Sequence, residues 1–171
     1  MTITKEKTQI LDARQSAMKI ERMAWQMLEV NSGDKELVLA GIAKRGYQLA
    51  GIFKQKLESI SKVKVILVEI RINKKAPFEE NIYIDVEAVK IENKCIIVID
   101  DVLNSGQTML HALTPFIKFP VKSLSIAVLL NRSYRNFPVQ AKYVGMSLST
   151  TLQEHIEVEF SNKGDISAYL M

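Results

Sequence analysis

Thiol and imidazole chemistry are almost missing from this chain. It carries one cysteine, Cys95, and two histidines, His111 and His155, in 171 residues. A single cysteine excludes an intramolecular disulfide and suits a reducing compartment. Cys95 stands in an apolar run, which fits a core thiol better than a reactive one. Neither histidine has Cys, His or paired acids near it in sequence, so zinc-ligand spacing is missing. No apolar run is long enough to span a bilayer, and the amino end has no signal-peptide pattern. The expectation is a cytoplasmic protein with no membrane partner. Repeats and low-complexity tracts are missing too. So are the Gly-Lys-Ser/Thr of a Walker loop and the three spaced glycines of a dinucleotide fingerprint.

What is present reads as one globular domain over residues 1–171, with 47% hydrophobic and 25% charged residues. The net charge of +4 is mild but unevenly placed. Nine Lys and Arg lie between Lys44 and Lys75, against the two acids Glu58 and Glu69. Such asymmetry suits an anion-binding face, and equally a solvated helix surface.

The most informative stretch is Cys95–Leu113, CIIVIDDVLNSGQTMLHAL. An apolar run to Ile99 reads as a buried strand, followed by Asp100 and Asp101. Asn104, Ser105, Gly106, Gln107 and Thr108 form a small-residue loop, and helix-compatible residues follow from Met109. Backbone N–H groups and hydroxyls in such a loop can hold an anion. The acids before it suit sugar hydroxyls or a Mg²⁺-bound ligand. Taken alone, an Asp-Asp pair is also what a solvated strand end looks like.

Asp12 with Gln15 resembles a capping box, and Ala17, Ile20, Ala24, Met27 and Leu28 recur at helical spacing. Leu37–Ile42 reads as a strand leading into the cationic, glycine-bracketed loop Gly41–Gly46. A second helix follows, with Leu49, Phe53, Leu57 and Ile60 on one face. Val63–Ile70 is a strand, and the polar segment 71–81 after it is either a lid or a plain hairpin connection. Ile82–Val86 alternates as a strand. Lys122–Leu130 is a further buried strand, Asn131–Pro138 a polar turn, Tyr143–Gly145 a short extended piece and Ile156–Phe160 a late strand. Strands alternating with helices predict a mostly parallel α/β sheet. Ligands of such sheets lie at strand carboxyl ends, where loops 41–46 and 100–108 both fall. The two loops are expected to face one crevice.

The string Val98–Thr108, VIDDVLNSGQT, resembles the PRPP-binding motif of type I phosphoribosyltransferases. From Ile10 onward the chain is similar to one branch of them, the PyrR proteins. These are pyrimidine-operon RNA-binding attenuators that also act as uracil phosphoribosyltransferases. The likeness is carried by Leu37–Gly46 with Leu49-Ala50, and by Val128–Arg132 leading through Arg135 and Phe137–Val139 to Tyr143–Gly145.

The resemblance implies a phosphoribosyltransferase fold in which the N- and C-terminal segments form a small hood. It implies transfer of the phosphoribosyl group from PRPP to a nucleobase, uracil first. The catalytic candidates are then Asp100, Asp101 and Arg71. Asn104, Ser105, Gly106, Gln107 and Thr108 would cradle the 5′-phosphate, and Lys44, Arg45 and Gly46 would receive pyrophosphate. Mg²⁺ would reach Asp100 and Asp101 indirectly, through PRPP, and Tyr143, Val144 and Gln140 would meet the base. A homodimer or higher homo-oligomer is implied, as is RNA as a partner, through Arg14, Lys19 and Arg22 on the first helix. Those three cations also fit a solvated helix face. The chain departs from the PyrR pattern at Asn104, usually aromatic, at Gln107, usually Arg, and at Gln140, often Arg or Lys. Gln107 lacks the cationic fork of Arg.

Overall fold

The computed structural model describes residues 7–79, 81–87 and 90–171. Its strands are β1 (Thr8–Leu11), β2 (Glu36–Ile42), β3 (Lys64–Arg71), β4 (Tyr83–Ile84), β5 (Cys95–Leu103), β6 (Ser123–Arg132), β7 (Tyr143–Leu148), β8 (Ile156–Phe160) and β9 (Ile166–Leu170). Its α-helices are α1 (Ala13–Val30), α2 (Arg45–Ile60) and α3 (Gln107–Leu113). One sheet runs β4-β3-β2-β5-β6-β7, and a second, smaller sheet runs β1-β9-β8. Strands β3, β2, β5, β6 and β7 are mutually parallel, and β4 is antiparallel to β3. The α/β fold with a mostly parallel central sheet is the one expected.

The core divides by strand alternation. Ile97 and Ile99 of β5 face α1 and α2, packing with Met23, Met27, Leu49 and Phe53. Ile96 and Val98 face the other way, onto Met109, Ala112 and Phe116. Both faces of β5 are therefore covered, and this is why its sequence is a continuous apolar run. Helix α1 starts where the capping box predicts it. The Gln15 N–H donates to Asp12 Oδ1 at 2.7 Å, and the Asp12 N–H to Gln15 Oε1 at 2.9 Å. Ile20, Met23, Ala24 and Met27 are buried on its inner face, while Trp25 stays exposed.

Three expectations change. The strand read as Ile82–Val86 is only Tyr83–Ile84, because just Ile70 and Arg71 pair with it. The acids do not follow β5 but lie within it, since β6 keeps pairing as far as Leu103↔Asn131. Strands β1 and β9 were not foreseen. They are short, and they are strands because β9 pairs with β1 on one side and with β8 on the other. The segment between β3 and β4 carries no helix or strand among its described residues; Glu80 lies outside them.

Candidate functional site

At the carboxyl edge of the large sheet β2 ends at Ile42, while β5 runs on to Leu103. A crevice of about 620 Å³ opens there. Ala43, Lys44 and Arg45 line it from the β2–α2 connection, Asp100–Leu103 from β5 and Asn104–Met109 from the loop and α3. Lys74 and Ile156 close its sides. The two loops read from the sequence do share one crevice.

Asp100 and Asp101 are each only 5% exposed. They help to hold their own strand: the Asp101 N–H donates to Asp100 Oδ1 at 3.0 Å, and the Val102 N–H to Asp101 Oδ1 at 2.9 Å. Burial, then the charge of Asp101, pushes the Asp100 carboxyl up from 3.8 to about 7, against the opposing pull of Lys74. Each acid has its own cation. Lys74 Nζ reaches both Asp100 oxygens at 3.0 and 3.1 Å. Arg45 Nη1 stands 3.8 Å from Asp101 Oδ2.

Gly46 is buried and does not line the crevice; it allows the acids and the Arg45 loop to stand close. A Cβ on it would lie 2.5 Å from Ile99 O and 3.0 Å from Asp100 Oδ1. Gly106 takes φ +90° and caps α3, and a Cβ there would meet Val139 Cγ2 at 2.5 Å.

The turn 131–139 braces the small-residue loop. Ser105 O accepts from the Asn136 and Phe137 N–H groups at 2.9 and 3.1 Å. Arg135 donates to the backbone carbonyl of Asn104 and to Asn131 Oδ1. Burial pulls the Arg135 guanidinium below its ordinary range. This bracing was invisible in the sequence, where 131–138 read only as a polar turn. The pairing of turn and loop exists because β6 lies beside β5.

Besides Gly46, four expected site residues do not line the crevice. Arg71 is exposed, bonded to Glu69 at 2.8 Å, with its guanidinium 5.8 Å from the Tyr83 ring centroid. Lys74, three residues on, is the cation of that segment that meets Asp100. Tyr143 is 2% exposed, its ring in the α1/α2 core and its hydroxyl accepting from Asn31 Nδ2 at 3.2 Å. Val144 and Gln140 line a separate hollow with Asn131, Arg132, Arg135 and Ser147. The reason is the strand order: β6 stands between β7 and β5. Lys74 and Ile156 line the crevice and were not among the expected site residues. Ile156 was placed in a strand, but nothing local told which edge that strand would reach.

Among the described residues, no group of three or more His, Cys, Asp and Glu could hold a metal ion, and no helix is long and apolar enough to cross a membrane.

A sequence model described as "Phosphoribosyl transferase domain" matches residues 6–162. A "Bifunctional protein PyrR" of Clostridioides difficile is 34% identical over 161 residues, 90% of each chain. Another, of Oceanobacillus iheyensis, is 33% identical over 168 residues, 93% of each. Among solved structures, the hypoxanthine phosphoribosyltransferase of Trypanosoma cruzi is similar with a TM-score of 0.74 at 16% identity, over 94% of this chain and 95% of that one. A hypoxanthine-guanine phosphoribosyltransferase from Bacillus anthracis gives 0.70 at 24% identity, over 84% and 83%. At these identities the structural likeness speaks for the fold.

Proposed function

We propose, because the chain belongs to the phosphoribosyl transferase domain family, that it moves the 5-phosphoribosyl group of PRPP onto a nucleobase, with uracil the first candidate, and releases pyrophosphate. One observation carries this reading: two buried acids, a small-residue loop and two cationic segments converge on one crevice. Displacing pyrophosphate from ribose C1 builds positive charge on the sugar and negative charge on the leaving group. The protein need form no covalent bond. It must align the reactants, neutralise pyrophosphate and exclude water.

In this assignment Asp100 and Asp101 take the ribose hydroxyls. The N–H groups and hydroxyls of Ser105, Gly106, Gln107 and Thr108 hold the 5′-phosphate, with Asn104 at the head of their loop. Lys44 and Arg45 face pyrophosphate. Gly46 spaces α2 from the acids, and Lys74 takes the loop-cation role first given to Arg71. Two carboxylates without a third ligand fit a Mg²⁺ ion held through oxygens of PRPP, and that ion would screen the leaving charge. Uracil as the base, and assembly into a homodimer or higher oligomer, are what the PyrR resemblance implies.

The direct test is pyrophosphate release from PRPP and Mg²⁺, with uracil, hypoxanthine, guanine, adenine and orotate supplied separately. Release with uracil is expected. Release with a purine alone would keep the transfer and reassign the base. PRPP binding with no release from any base would reject the enzyme. Lys74→Ala is expected to raise the PRPP KM about tenfold, since a hydrogen bond to a charged group contributes roughly 1.5–3 kcal/mol. An unchanged KM would remove Lys74 from the site.

A second role as an RNA-binding regulator is what the PyrR resemblance implies, and the relatives are named bifunctional. Arg22 is already engaged, donating to Val144 O at 3.0 Å and Gly145 O at 2.8 Å. Arg14 and Lys19 therefore remain the better candidates on α1. RNA retention that falls steeply with salt is expected; no retention at low salt would remove this role.

A further inference from the structure

Arg132 is an unusual residue to find at the end of a central strand. It is 7% exposed, and three uncharged oxygens accept from it. Its Nη1 donates to Asn104 Oδ1 at 3.2 Å, its Nε to Thr150 Oγ1 at 2.7 Å and its Nη2 to Thr151 O at 2.9 Å. A buried guanidinium is costly unless its donors are met, so these bonds fix where it sits. The acceptors come from two separate pieces of chain. Asn104 opens the small-residue loop of the crevice. Thr150 and Thr151 lie in the segment leading into β8, whose first residue, Ile156, lines the same crevice.

The planar fork has the right shape for this task, because it can hold three acceptors in fixed directions at once. Lysine has no such fork. Asn104 supplies the side-chain carbonyl that accepts from Nη1.

We propose that Arg132 is a positioning residue that couples the small-residue loop to segment 149–155, so that filling the phosphate end of the crevice steadies the Ile156 wall at its other side. The inference rests on the reading that residues 104–108 hold the 5′-phosphate. Occupied, that loop keeps Asn104 in place. Arg132 then keeps Thr150 and Thr151 in place, and Ile156 is held against the crevice it lines. Arg132 itself need touch neither substrate.

The test is peptide-level hydrogen exchange on the full chain, with ribose 5-phosphate as the probe. In the parent protein the probe is expected to slow exchange roughly threefold or more both in 105–110 and in 150–156, although the second segment lies outside the phosphate loop. In Arg132→Lys, which keeps the charge and loses the fork, protection of 105–110 is expected to remain and that of 150–156 to vanish. If Arg132→Lys fails to fold, Thr150→Val and Thr150→Ser serve instead. Valine is expected to weaken the distant protection and serine to keep it. A simple structural brace would lower the melting temperature in these variants without changing how far the ligand's effect travels.

Protection of 105–110 without 150–156 in the parent would overturn the coupling and leave the phosphate assignment standing. Distant protection that survives both Arg132→Lys and Thr150→Val would show that the route avoids Arg132, and would also overturn it. Failure of the probe to protect 105–110 at all would overturn the phosphate assignment, and the coupling with it.

Discussion

The double change Asp100→Asn with Asp101→Asn is expected to cut pyrophosphate release at least about a thousandfold, since one preorganised electrostatic contact to a transition state commonly supplies 10²–10³. The same change is expected to raise the melting temperature at pH 8. The sign follows from linkage. Asp100 titrates near 7 in the folded protein, against 3.8 ordinarily, so the folded state holds a proton that the unfolded chain releases. Stability contributed by that proton is present at low pH. It declines from about pH 4 to about pH 7, and no more is lost above that. Asparagine carries no charge and can keep the Oδ1 bonds to the Asp101 and Val102 N–H groups. Lys74 and Arg45 lose their partners but have side chains 39% and 49% exposed, so water can replace the carboxylates. Melts from pH 4 to 8 on both proteins, with turnover beside them, check the prediction. Unchanged turnover would place the reacting sugar elsewhere, and a lower melting temperature at pH 8 would mean that the pair stabilises the strand it sits in.

Gly46→Ala is expected to damage both fold and site. The added carbon would sit 2.5 Å from Ile99 O and 3.0 Å from Asp100 Oδ1. Both atoms belong to β5, which is paired to β2 and β6 up to this point and cannot retreat. The start of α2 must move outward instead, taking Arg45 away from Asp101. Overpacking of this kind costs roughly 1–3 kcal/mol and occasionally more. About 3 kcal/mol lowers the melting temperature of a chain this size by about 6–12 °C. Turnover should fall further than stability does, because the cation moves while the acids stay. Gly51→Ala is the matched control. It lies in the same helix with nothing within 4 Å of its added carbon, and is expected to be neutral or slightly stabilising. Equal melts for the two variants would mean that the α2 terminus yields without cost.

The parts of this fold that were legible in the sequence are those specified locally. Asp12 and Gln15 form a cap three residues apart, and the cap is there. Cys95–Ile99 is apolar at every position, and its strand is covered on both faces. Loops 41–46 and 100–108 follow strands of a parallel sheet, so their shared crevice could be expected from topology. What could not be read depended on which distant segment lies alongside. Arg71, Lys74 and Lys75 are equivalent as letters; only the path of the chain after β3 selects Lys74. The resemblance tied Tyr143 to the base, but β6 separates β7 from the crevice and the Tyr143 ring packs into the core. The bracing of the 104–108 loop by Arg132 and Arg135 spans about thirty residues of sequence, and no periodicity announces it.

The small sheet bears on the order in which the protein can be completed during synthesis. All six strands of the large sheet lie within residues 36–148, so the acids, the cationic loop and the small-residue loop can assemble while the chain is still growing. Among the described residues β8 pairs only with β9, and β9 also holds β1, formed by residues 8–11. Ile156 therefore has no partner strand until residues 166–170 emerge from the ribosome and close a contact with Thr8, made some 160 residues earlier. Such long-range closure is slow compared with local pairing. A chain truncated before residue 166 would carry the phosphate-facing half of the crevice without the strand that holds its Ile156 wall.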